Sequence, residues 1–260
     1  VVLKAALLLL VVCGMAVADE GLDRSVLSAI FPGAKIEHAG HSYVATGPTT
    51  SWIERCASEV MLDGKFSDRR LVELQVFEWP GESTGGLAAV VQYEFEGARP
   101  AGSCWSIGLL AHLRKQADGW QVKERYLLDN MHHASIPSAR MVDLAGTGIP
   151  DLVVESDGGG AGVGDTNLHI FDLSSGAFHE LLHVYSFLAD QDQEGYSQTL
   201  DIARTRQSHG AQFCFVKTLK FDHGVMFPKP KISHPCYKPG EGINPKETAE
   251  RNAMLKPLPQ

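Results

Sequence analysis

Beyond its first eighteen residues this 260-residue chain has no apolar run long enough to cross a bilayer, which takes about 20 residues as a helix. It is also short of positive charge, with 23 Lys and Arg against 31 Asp and Glu. A net-negative chain is repelled by nucleic acid and by anionic membrane surfaces, so neither is expected as a partner. No two cysteines stand in a C-x-x-C pair, which argues against zinc ribbons and dithiol redox motifs. There is no internal period and no low-complexity repeat, which argues against a solenoid.

What the first residues do contain is a pattern. Lys4 precedes an apolar run from Ala5 to Val12, and Ala16-Val17-Ala18 stand before Asp19-Glu20. A positive start, a short apolar stretch and an A-x-A site read as a secretory signal peptide over residues 1–18. Cys13 offers a lipid-anchor alternative, but the small residue normally preceding a lipidated cysteine is Val12 here. The mature chain is expected in a secreted or periplasmic setting, with an extracytoplasmic ligand or protein as partner. Losing Lys4 leaves it with 22 basic and 31 acidic residues.

Four cysteines remain after the leader: Cys56, Cys104, Cys214 and Cys236. An even count in an exported chain reads as two disulfides. Cys56–Cys104 and Cys214–Cys236 are the preferred pairing, because each bridge then stays within its own half.

Leu22, Val26, Leu27 and Ile30 recur at helical spacing, and Phe31-Pro32-Gly33 ends the run. From about Lys35 the pattern becomes that of strands. Leu71–Trp79 and Leu87–Phe95 form one expected hairpin, and Trp105–Arg114 with Trp120–Leu128 a second, turned at Ala117-Asp118-Gly119. Leu152–Glu155, Thr166–Asp172, Gln198–Ile202 and Gln212–Phe221 are further strand candidates. The fold class expected is mostly β: antiparallel hairpins forming a small or incomplete propeller or a sandwich, with a short N-terminal helix. Residues 19–227 read as the β-rich domain. Residues 228–260, which hold seven of the thirteen prolines, read as an extended tail.

Asp143-Leu144-Ala145-Gly146-Thr147-Gly148-Ile149-Pro150-Asp151, followed by Leu152-Val153-Val154, resembles the calcium loop of FG-GAP/VCBS proteins, the integrin-like propellers. The resemblance implies a blade-like strand–loop–strand, with Asp143 and Asp151 as calcium ligands at loop positions 1 and 9. Ala145 and Thr147 stand where that family places carboxylates, so a turn closed on its own amides is preferred over a metal loop. The glycine-rich run Gly158–Gly164 fits no phosphate-binding pattern and reads as an inter-strand loop. With Glu155, Asp157 and Asp165 beside it, that loop is the second part of the expected binding face. Gly81-Glu82-Ser83-Thr84-Gly85 has the letters of a nucleophile elbow, but β-formers follow where a helix is required.

His179-Glu180-Leu181-Leu182-His183 satisfies H-E-x-x-H. On a helix, His179 and His183 would hold zinc and Glu180 would act as general base, the signature of a metallopeptidase. The preceding Phe171–Gly176 reads instead as a strand entering a turn, and Phe178 onward as its returning partner. On that strand His179 and His183 share a face about 13 Å apart, with Leu181 between them and Glu180 on the opposite side. The adjacent pair His132-His133 cannot chelate from a strand. The preferred function is an exported, non-catalytic binding module resembling FG-GAP/VCBS proteins, and the alternative is the zinc peptidase. Mass analysis of the exported protein should find a chain beginning at Asp19; a start at acylated Cys13 would make it a lipoprotein.

Overall fold

Asp19, the first described residue, caps a helix. Its carboxylate accepts the Gly21 amide at 2.9 Å, and helix α1 (Glu20–Ile30) follows. The stripe expected from the sequence is the face that packs, with Val26, Leu27 and Ile30 buried. The fold is known here from a computed structural model, which describes residues 19–52, 54, 68–82, 85–96, 106–128, 135–160, 163–190, 194–223 and 225–257. The leader with Cys13, Ser83, Cys56, Cys104 and the pair His132-His133 lie outside the described residues.

Two antiparallel sheets follow, each a meander in chain order, one of them curled into a half-barrel. The first runs β1 (Lys35–Ala39), β2 (Ser42–Thr46), β3 (Arg69–Glu78), β4 (Gly86–Phe95), β5 (Ser106–Gln116) and β6 (Gly119–Leu127). The second runs β7 (Ser135–Val142), β8 (Asp151–Gly160), β9 (Val163–Asp172), β10 (His179–Ala189), β11 (Glu194–Leu200), β12 (Phe213–Asp222) and β13 (Val225–Ser233). A short β14 (Cys236–Tyr237) pairs with β12. Both expected hairpins are present, as β3–β4 and β5–β6. The strand candidate Gln198–Ile202 stops at Leu200, because the Asp201 carboxylate caps helix α2 (Ile202–Gln207) by accepting the Arg204 amide at 3.0 Å.

Alternation along the strands explains the layers. On β4, Leu87, Ala89, Val91, Tyr93 and Phe95 face α1, together with Val72, Ile107 and Leu109. Ala88 and Val90 face the other way and, with Leu110 and Tyr126, meet Leu152, Val154, Phe171 and Phe178 of the second sheet. The far side of that sheet packs Val153, Leu168, Ile170 and Leu182 against Leu200, Phe213 and Phe215. With both faces covered, the strands are apolar on both sides, as buried sheets require. The arrangement is two stacked sheets, not a ring of four-stranded blades.

The expected tail boundary at residue 228 falls inside β13, and the described residues beyond it carry a further strand and a helix. Helix α3 (Pro245–Ala253) lies against β6, where the Asn252 side chain accepts the Leu127 amide at 2.8 Å. Met254 and Leu255 pack onto the core under α1. The sequence pattern concealed this because the docking residues are few and scattered among prolines and charges. Cys214 and Cys236 are bonded across the β12–β14 pair, as expected. Replacing both by Ser should lower unfolding free energy by about 3 kcal/mol, the chain entropy of a loop this size; urea titration checks it.

Candidate functional site

The site begins with the hairpin β9–β10. Asp172 accepts the Ser174 amide at 2.8 Å, the chain turns through Gly176 at φ +79°, and β10 returns along β9. H-E-x-x-H therefore lies on a strand, as the sequence pattern suggested, and not on the helix that the peptidase reading needs. The expected side-chain directions are nevertheless wrong, and the reason is a β-bulge. His179 pairs with Asp172 and Glu180 with Phe171, but the next pair is Leu182 with Ile170, so Leu181 is an extra residue. An added residue reverses the alternation beyond it. Glu180 and His183 consequently share a face, while His179 is exposed and Leu181 packs on the opposite side with Leu182.

The shared face looks toward the first sheet. His183 pairs with His169, and their rings stack with centroids 4.3 Å apart. His169 Nδ1 lies 2.7 Å from Glu180 Oε1, and the other carboxylate oxygen accepts the Tyr126 hydroxyl at 2.5 Å. His169 Nε2 is 3.4 Å from the Ser156 hydroxyl, and His183 Nε2 is 3.0 Å from Asn167 Oδ1. His169 and Ser156 are wholly buried, and Glu180 is 8 % exposed. Burial pushes the Glu180 carboxyl up, but the hydrogen bonds from His169 and Tyr126 and the nearby histidine charge outweigh it, holding it below the usual range. Burial, then the charge and hydrogen bond of Glu180, raise the Tyr126 phenol, which stays protonated.

Ser156, His169 and Glu180 stand in the order of a hydrolase triad. Ser156 is sealed between the sheets, however, and a nucleophile must reach a substrate. What the cluster can do from this position is hold a cation or brace the two sheets. No family model, curated protein or solved structure matches this chain. The site therefore stands on its own geometry.

The acidic residues expected to form a binding face do not converge. Asp143 and Asp151 flank the β7–β8 turn, whereas Asp157 and Asp165 lie beside the β8–β9 turn. Asp151 and Asp157 are six residues apart along β8, about 20 Å at strand rise. Asp143 accepts the amides of Thr147 at 3.0 Å and Gly148 at 2.9 Å, and Asp151 accepts that of Leu144 at 3.3 Å. The loop carboxylates thus bond the turn's own backbone. Glu155 pairs with Arg140 at 3.5 Å and Ser138 at 3.1 Å, and Asp157 with the Thr166 hydroxyl at 2.7 Å.

His169, Tyr126, Ser156 and Asn167 were missed in the sequence. The one available signal was the hairpin register. Carrying the first pairs of β10 forward without the bulge sets His183 opposite Leu168, on the wrong face; one extra residue sets it opposite His169.

Asp151 yields a test of the turn. Burial raises its carboxyl to about 6, with Asp172 and Asp143 adding to this and the Leu144 amide opposing it. An acid raised from about 3.9 on folding stabilises the fold most below pH 4, and that contribution is lost as pH climbs to 6. Asp151→Asn keeps the acceptor and removes the charge. It should stabilise by about 1–3 kcal/mol at pH 7 and by much less at pH 4, measured by urea unfolding at both. Destabilisation at pH 7 that deepens with added calcium would assign the loop to metal instead.

Proposed function

We propose that this chain is an exported, non-catalytic interaction module, and that it grips an acidic, apolar-bearing segment of a partner protein along β13. The observation that carries the reading is the character of that strand. β13 is the outer strand of the second sheet, and Val225, Met226 and Ile232 on it are 64 %, 70 % and 66 % exposed. An apolar patch left on a soluble surface marks a contact site. Residues 225–238 also carry Lys229, Lys231 and Lys238 and no acidic residue, in a chain where acids outnumber bases. Charge complementarity therefore favours a negative partner.

The prolines of the strand favour recognition by side chains. Pro228 and Pro230 have no N–H to offer a ladder, which also discourages copies of the chain from pairing edge to edge. The export part of the reading is supported by the leader pattern of residues 1–18 and by the Cys214–Cys236 bond, which suits an oxidising compartment. No helix among the described residues is long and apolar enough to cross a membrane. The non-catalytic part is supported by the separation of His179 from His183 across β10. A cleft bordered by Arg69, Leu71, Glu94 and Glu96 measures about 190 Å³, below the roughly 300–1,000 Å³ of small-ligand sites.

Two measurements test this. A fluorescent peptide alternating glutamate and leucine should bind the mature protein, and a lysine–leucine peptide should not. Lys229→Glu with Lys231→Glu should weaken the first at least tenfold, and salt should weaken it further. Equal binding of both peptides, or indifference to the double substitution, would defeat the β13 assignment. Zinc-dependent cleavage of casein, abolished by His179→Ala, would replace the whole reading with the peptidase.

A further inference from the structure

We propose that His169, Glu180 and His183 form a binding site for a zinc-class divalent metal ion, set between the two sheets. One ligand atom from each residue lies within 4.8 Å of the other two. A tetrahedral ion with bonds of about 2.0–2.2 Å needs its ligands some 3.3–3.5 Å apart, so side-chain rotations of about an ångström would close the set. Two imidazoles and one carboxylate are a donor set that zinc accepts. This is not the pair that H-E-x-x-H names. His179 is replaced by His169 from the neighbouring strand, and Glu180 becomes a ligand instead of a base.

Each ligand is held by an outer partner, the pattern of protein metal centres. Asn167 Oδ1 engages His183 Nε2, and the Ser156 hydroxyl engages His169 Nε2. In His169, Nδ1, which already faces Glu180, is then the nitrogen that would turn to an ion. Tyr126 donates to one oxygen of Glu180, which directs the other toward His169. An ion would replace the direct His169–Glu180 hydrogen bond with two bonds to metal. His183 is half-buried, so its side of the cluster is the route from solvent, and water would complete the coordination.

The fold also spends stability to make this face. A strand without the bulge would turn Glu180 away from His183, and bulges recur where a side chain must be re-aimed. A buried charged pair is seldom more stable than an apolar one of the same volume. Stability alone therefore gives no reason to bring two imidazoles and a carboxylate together here.

The test uses the mature full-length protein, stripped with a chelator and titrated with Zn²⁺ against a chromophoric competitor. One equivalent should bind and raise the melting temperature, and Co²⁺ in its place should give the visible absorption of a tetrahedral site. His183→Gln and Glu180→Gln, chosen because they keep side-chain volume, should each weaken binding at least tenfold. Asn167→Ala should weaken it by about tenfold through its hold on His183. His179→Ala should leave affinity unchanged. Absence of stoichiometric binding by the folded wild type overturns the proposal. So does binding that survives both ligand substitutions, with circular dichroism confirming that they fold, or binding that disappears with His179→Ala.

Discussion

Glu180 is a carboxylate buried where two sheets meet, and much of the structure is arranged around keeping it partnered. Taking an ion out of water costs several kcal/mol, recovered only when its oxygens are well bonded. One partner comes from each side: His169 on β9 of the second sheet and Tyr126 on β6 of the first. The sheets cannot slide past one another without leaving the charge exposed to an apolar wall. Three further polar contacts cross the same interface. The Trp79 indole donates to the Leu173 carbonyl at 3.1 Å, the Phe178 amide to Glu124 at 2.9 Å, and the Ile136 amide to Gln92 at 3.0 Å. Apolar burial drives the stacking, while these directional contacts fix its register.

The core under α1 has a counterpart of opposite charge. Arg70 is 1 % exposed, and its guanidinium meets Glu54 at 3.2 Å and the carbonyls of Gly47 and Pro48 at 3.0 and 2.8 Å. Phe31 and Phe95 lie 5.5 and 5.0 Å from it, close enough for cation–π attraction. The helix and the sheet are thereby tied through one side chain, as the two sheets are through Glu180. In both places a buried charge is tolerated because groups from different elements surround and pair with it, so that the elements are held in one relation.

Periodicity made the hairpins legible, because their strands are long, apolar on at least one face and bounded by turn residues. It also identified H-E-x-x-H as strand, from the turn at Asp172–Gly176. It could not reveal the bulge at Leu181, because Glu180-Leu181-Leu182-His183 reads equally well with either alternation, and only the packing of Leu181 and Leu182 on one side decides between them. Arg70 carried no sign of burial, since Arg69-Arg70 at the start of β3 resembles a solvated strand end. The acidic residues around β8 were legible as charges but not as partners. Glu155 and Asp157 meet Ser138 and Thr166, neighbours set by strand register, and register is not visible in composition.

The bulge raises a demand of its own, which the C-terminal segment meets. β11 pairs with β10 only from Phe187 to Ala189, so the backbone of the first half of β10 lacks that neighbour. The Leu181 carbonyl accepts the Gly240 amide at 2.8 Å, and the His183 amide donates to the Glu241 carbonyl at 3.3 Å. Gly242 passes so close that a Cβ there would run into the His183 carbonyl, and its φ of +76° also favours glycine. A few residues later α3 reaches β6, the strand that supplies Tyr126. The segment after Cys236 thus closes the backbone of the strand bearing Glu180 and then braces the strand that donates to it. The Cys214–Cys236 bond starts this path beside β12, which limits how far the segment can stray before it docks. The buried cluster joins Tyr126 to Glu180, 54 residues apart, and the segment that braces it joins Asn252 to Leu127, 125 apart, so the site is assembled from contacts of long sequence separation, whose loop-closure entropy must be met first.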